Sequence, residues 1–139
     1  MESNLKIYTS SITKENIDNS ISKNLLPLFI PRNLIGNDLV GKYSGSAIHL
    51  RMLSPSGSLW WKRKSGEIDF ETFSKNYMIE LSSLNFQTII KKLESLSEVS
   101  NADGVVLFDF DETPSESCRF ILSELFNKSG ILTKTVEEL

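Results

Sequence analysis

"VVLFDFDETPSESCRFILSELFNKSG", Val105 to Gly130, is the stretch on which the fold turns. "VVLFDF" is apolar at consecutive positions, so both of its faces expect cover. That is the pattern of a central strand in a parallel sheet. After an acidic loop, Thr113 suits an N-cap, Pro114 suits the first helical position, and Glu116 three residues on completes a capping box. A helix is therefore predicted to start there and to end at Gly130, placed as a C-terminal cap.

Working outward, "NADG" (Asn101–Gly104) forms the turn into this strand. Before it, "NFQTIIKKLESLSEV" carries Phe86, Ile89, Ile90, Leu93 and Leu96 on one stripe, opposite Lys91, Lys92 and Glu98, and predicts an amphipathic helix. "DFETFSKNYMIEL" predicts another, capped by Asp69, with Phe70, Phe73, Tyr77 and Leu81 at helical spacing. "SLWWKRKSG" gives a short helix from Ser58 to Lys64. Residues 32–58, rich in glycine and polar side chains, read mostly as loop, and a loop of that length is often functional. "LLPLFIP" reads as a buried strand with Pro27 near its start. "LKIYTSSI" reads as a first strand, "TKENIDNSISKN" as a short helix capped by Thr13, and "ILTKTVEEL" as a last edge strand. This order of elements predicts a single small α/β domain over 1–139, with a mostly parallel sheet and flanking helices.

The composition fits that class. Of 139 residues, 40% are hydrophobic and 24% charged, as expected for one globular core. A net charge of -3 gives no broad electrostatic case for nucleic acid or an anionic membrane, although a local basic patch stays open. A single cysteine, Cys118, excludes an intrachain disulfide framework and a multi-cysteine zinc site, and His49 has no second histidine to work with. No apolar run approaches the roughly 20 residues of a membrane-spanning helix. The N-terminus lacks a secretory pattern, so a cytoplasmic protein is expected. The richness in Lys, Asn, Ile and Ser fits a bacterial or phage gene.

The acidic loop raises the question of chemistry. Asp109, Asp111 and Thr113 have the DxDxT spacing, which resembles the nucleophile loop of haloacid-dehalogenase-type phosphatases. That resemblance would make Asp109 a nucleophile and Asp111 an acid/base beside Mg²⁺. In that family, however, the motif lies on the first strand, and a lysine and further acidic residues follow on later ones. Here one helix and a short strand follow Thr113, so the spacing reads as accidental. No metal site is assigned, though Asp109, Asp111 and Glu112 remain open as a simple one. The competing reading has these acids facing water and the helix N-terminus.

A broader resemblance covers almost the whole chain. Tyr8, Thr9 and Ser10 match a "YTS" strand, and Leu53–Ser56 match a "LAPS" loop in all but one place. Gly66, Ile68, Phe73 and Tyr77 match a helix pattern, Glu112 and Pro114 match an "E-x-P" strand end, and Leu122, Ser123, Glu124 and Phe126 match a later helix. In this order they resemble the domain of unknown function 488, small α/β proteins of bacteria, archaea and phages. The family's strand cysteine falls here on Phe110. Its Cys-His-Arg triplet falls on Ser117, Cys118 and Arg119, or, shifted by one, leaves only Cys118. The cysteine and histidine do not both survive, so the resemblance implies a divergent member with a degraded motif, and it brings no activity with it.

Ligand-binding residues are expected at the C-terminal edge of the sheet: Tyr8, Thr9, Ser10, Arg32, Ser54, Asp111 and Ser117. Glu112 and Arg119 stand as a candidate acid/base and anion clamp, with Arg119 equally placed to form an ion pair with Asp111 and Glu112. Cys118 shares an apolar stripe with Ile121, Leu122 and Leu125 and reads as a buried structural thiol rather than a reactive one. "WWKRK" (Trp60–Lys64) would stack a base and hold phosphates; the heavier reading sends its tryptophans into the core and leaves its lysines solvated. His49 reads as structural.

Three functional expectations follow. The first is a protein that binds a small anionic, nucleotide-like ligand, with degenerate or absent catalysis. The second is a hydrolase or transferase acting on a nucleotide or nucleic acid. The third is an interaction module, oligomeric or not, with Trp60 and Trp61 exposed together. No membrane partner is expected, and no cofactor is assigned.

Overall fold

A computed structural model gives the fold; it describes residues 3–32, 34, 37–111 and 113–139, with Pro114 by its backbone alone. Among these, five strands form one parallel sheet: β1 (Ile7–Ser11), β2 (Leu25–Phe29), β3 (Ile48–His49), β4 (Gly104–Asp109) and β5 (Glu137–Glu138), in the order β3-β2-β4-β1-β5. The helices are α1 (Lys14–Ser22), α2 (Asp38–Gly41), α3 (Gly57–Lys64), α4 (Phe70–Ser82), α5 (Phe86–Val99) and α6 (Cys118–Ser129). The expected α/β class is the observed one. No helix of the described residues is long and apolar enough to cross a membrane.

β4 is central, as its apolar run requires. Val105 and Leu107 face one layer and Val106 and Phe108 the other, and all four are buried. The first layer holds α3 to α6, where Phe73, Tyr77, Ile89, Leu93, Leu122 and Phe126 form the larger core. The second is thinner: Ile17 of α1 and Val40 of α2 cover Phe29, Val106 and Phe108. Gly104 opens β4 because nothing larger fits; a Cβ there would stand 2.5 Å from the Lys6 carbonyl oxygen.

Pro27 lies mid-strand in β2 rather than near its start. The Ile30 amide donates to Phe108 in β4, while the Phe29 carbonyl accepts from Leu50 on the β3 side. Alternation therefore turns Pro27 away from β4, and β3 pairs only from Leu28 onward. The donor that proline lacks would have had no partner in the sheet. The loop expected over 32–58 is also more structured than its composition implies. Asn37 caps α2 by accepting from the Val40 amide at 2.9 Å, and Ile48–His49 adds β3. Two residues are too few to show a period of two in sequence.

A second correction concerns the start of α6. Residues 114–116 form a single 3₁₀ turn, and Thr113 makes no side-chain cap. The N-cap is Ser117, whose hydroxyl accepts from the Phe120 amide at 3.2 Å. Gly130, at φ 70°, ends the helix in the left-handed conformation that glycine adopts without penalty.

The connections set the site. The chain leaves β1 and β2 toward the α1–α2 layer and leaves β4 toward α6 on the opposite layer. Neighbouring strands whose chains diverge to opposite faces leave a crevice beyond their C-terminal ends, the usual ligand position in open α/β sheets.

Candidate functional site

Asp109 ends β4, and Arg119 is the second residue of α6. Side chains on a helix lean toward its N-terminus, which carries the Arg119 guanidinium back over the strand end. Both residues are buried, at 4% and 1% exposure. The guanidinium Nη1 donates to Asp109 Oδ1 and to the Asp111 carbonyl, and the Arg119 amide donates to Asp109 Oδ2 at 2.9 Å. On the other side, Arg119 Nε donates to Glu138 Oε1 at 2.8 Å, and the Thr9 hydroxyl donates to the same oxygen at 2.7 Å. The network ties together β1, β4, β5 and α6. It also explains the later helix start: a helix beginning at Cys118 aims the Arg119 amide at Asp109.

Burial pushes the Asp109 carboxyl up to about 6, against the downward pull of Arg119. Burial also holds the Cys118 thiol well above its ordinary value, with Asp109 and Asp111 adding to the effect. A thiol so held is a weak nucleophile, and Cys118 packs in the larger core. Of the two roles open to Arg119, the geometry realises an ion pair, but with Asp109 and Glu138 in place of the Asp111 carboxylate expected, whose residue offers Arg119 its backbone carbonyl. The Arg119 amide, Nε and Nη1 are directed at protein oxygens, and the Asp109 carboxylate is held by two of those bonds and 4% exposed. Asp109, Asp111 and Cys118 do bring one potential ligand atom each within 4.8 Å of one another. The guanidinium on Asp109 already supplies the positive charge a metal would bring, so this trio does not fit a metal.

Beside this network lies a cavity of about 230 Å³, between the ends of β2 and β4 and under α3. Arg32, Pro31, Asp109, Asp111, Trp60 and Lys64 are among its lining residues. It adjoins a more open cleft of about 770 Å³, lined by Arg32, Leu34, His49, Arg51, Trp60, Trp61 and Lys64. Arg32, Trp60 and Lys64 belong to both.

α3 is held in place from two sides. Ser56 caps it, and Glu80 of α4 accepts from the Ser56 amide at 2.8 Å and from its hydroxyl at 2.6 Å. At its far end Arg63 turns inward, its guanidinium 4.7 Å from the Phe73 ring centroid and 5.1 Å from that of Phe70. From there it reaches Asp111 at 3.3 Å and the Glu116 carbonyl at 2.6 Å. Arg63 is thus a fastening, and it leaves Trp60 and Lys64, one turn apart, facing the cavities. Leu59 takes the core position. Trp60 is half-buried and Trp61 is 66% exposed, so the tryptophans do not enter the core as the heavier reading expected. Nor are they exposed together.

Of the expected ligand residues, Arg32 and Asp111 line the cavity. Ser54 instead donates to the Ile30 carbonyl, fixing its loop to the end of β2. Thr9 is engaged by Glu138, Ser10 is buried in β1, Tyr8 packs toward the thinner layer, and Ser117 caps α6. Glu112 lies outside the described residues. His49 Nε2 contacts the Pro31 carbonyl, a structural role, while its ring edges the open cleft. Arg51 was not singled out in the sequence; it follows β3, and without that strand nothing places it near Arg32. Comparison with protein-family models, with curated proteins and with solved structures finds no match to this chain.

Proposed function

We propose that this protein binds a nucleotide-like anion in the cleft at the C-terminal edge of its sheet, without catalysing a reaction on it. The observation that carries this reading is the placement of Arg32, Trp60 and Lys64 on the wall common to both cavities. A planar aromatic beside two cations suits a ligand with a flat base and a phosphate. The chain is net negative, so these cations stand out as a local feature rather than part of a basic surface. The non-catalytic part rests on Arg119, whose amide, Nε and Nη1 serve the protein. The kinship with domain of unknown function 488 stays part of this proposal. It rests on the order and spacing of the resembling motifs in the sequence.

The test is calorimetric titration and thermal shift with nucleoside mono- and triphosphates, with and without Mg²⁺. Ligand at 100 times its Kd stabilises the fold by ~3 kcal/mol, a clear shift in Tm. Arg32→Ala and Lys64→Ala are expected to weaken binding about tenfold each with little loss of stability, since both side chains are exposed. Absence of heat and of any shift with every nucleotide would sink the proposal.

A further inference from the structure

Resting on that reading, we infer that the cleft takes two successive nucleotides of a single-stranded nucleic acid rather than one free nucleotide. The inner cavity, about 230 Å³, is smaller than the ~300–1,000 Å³ of pockets that enclose a whole drug-sized ligand. It has room for one base against Trp60. The remainder of the ligand must lie in the outer cleft, where Arg32 and Lys64 stand at the junction between the two.

Beyond the junction the outer cleft offers a second aromatic and a further cation. Trp61 and Arg51 line it and do not line the inner cavity. Consecutive helical residues point about 100° apart, so Trp60 and Trp61 present two separate stacking faces rather than one. No carboxylate lines the outer cleft among the described residues, whereas Asp109 and Asp111 line the inner one. Trp60, Arg32 and Lys64 thus line both cavities, and Trp61 and Arg51 line the outer cleft without the inner cavity. Two aromatics and three cations along adjoining cavities supply two stacking faces and charge for the phosphates between and beyond them, and sequence-tolerant single-strand binding rests on this combination of stacking and backbone charge.

The test measures affinity of the full chain for 5′-phosphorylated mono-, di- and trinucleotides in DNA and RNA series, followed by tryptophan fluorescence. The dinucleotide is expected to bind about tenfold or more tightly than the mononucleotide, as one added stacked base implies. Its salt slope should be steeper by about 0.7 for the added phosphate. Trp61→Ala should cost the dinucleotide at least about five times more than it costs the mononucleotide, with Trp61→Phe restoring most of the loss. Arg51→Ala should flatten the salt slope of the dinucleotide. Preference for one sugar series identifies the nucleic acid, and either supports the inference. Equal affinity for mono- and dinucleotide, or full displacement by an acidic peptide at the same concentration, would overturn it and leave single-nucleotide binding standing. Failure of every nucleotide to bind would overturn both.

Discussion

Arg119 and Asp109 form a buried ion pair in which the arginine bonds the carboxylate twice, once through its guanidinium and once through its own backbone amide. One residue thereby satisfies both oxygens of the other and fixes where α6 begins. Buried pairs of this kind resist the loss of one partner far more than joint replacement. Arg119→Met is expected to destabilise the fold by ~3–5 kcal/mol, while Arg119→Met combined with Asp109→Leu should cost less than the single change. Urea unfolding of the two variants and the parent measures the difference. Additive losses would show that the two side chains do not depend on each other.

The same pair predicts a pH dependence. An unperturbed aspartate titrates near 3.9, and burial raises Asp109 to about 6. Between those values the folded chain holds the proton more readily than the unfolded chain. The stability linked to this group is fully present below about pH 4 and is lost as pH rises through about 6, by roughly 3 kcal/mol. Asp109→Asn cannot titrate. The stability of the parent relative to this variant should therefore fall between pH 4 and 7, read from urea unfolding at stepped pH. Parallel profiles would place Asp109 at its ordinary value.

The sequence was readable where one side-chain period dominated. β4 declared itself through four consecutive apolar residues, Val105 to Phe108, and α4 and α5 through their Phe73–Tyr77–Leu81 and Ile89–Ile90–Leu93 faces. It was not readable where two local signals competed or where a long-range partner decided. "LWWKRK" (Leu59–Lys64) has apolar residues at 59, 60 and 61, and periodicity does not say which of them takes the core; Leu59 does, and the tryptophans are released to the cleft. Arg119 was poised between ligand and ion pair because Glu138, its second carboxylate, reaches it only through the pairing of β5 with β1. Arg32 was legible, since it directly follows an evident strand.

The start of α6 offers a sharp test of competing caps. Thr113 and Ser117 both carry the right chemistry, and of the two hydroxyls only that of Ser117 accepts an amide in the fold. Ser117→Ala is expected to cost ~1 kcal/mol and Thr113→Ala less than about half of that. Equal losses in chemical denaturation would mean that the 3₁₀ turn contributes a cap of its own.

Tyr77 controls the wall of the cleft from inside the core. Its ring is fully buried, and its hydroxyl donates to the Leu53 carbonyl, at the start of the segment that carries Ser54 and the α3 cap Ser56. Tyr77→Phe keeps the ring's packing and leaves that carbonyl without its donor, at a cost of ~1–3 kcal/mol. Because α3 is also fastened by Glu80 and Arg63, the helix should persist while its first turn loosens. Hydrogen exchange should accelerate over residues 53–59 and stay unchanged in α5, whose backbone the Tyr77 hydroxyl does not bond. Nucleotide affinity should fall with it, since Trp60 and Lys64 ride on the same helix. A variant that loses stability uniformly, with no excess exchange at 53–59, would show that Tyr77 supports the core without positioning α3.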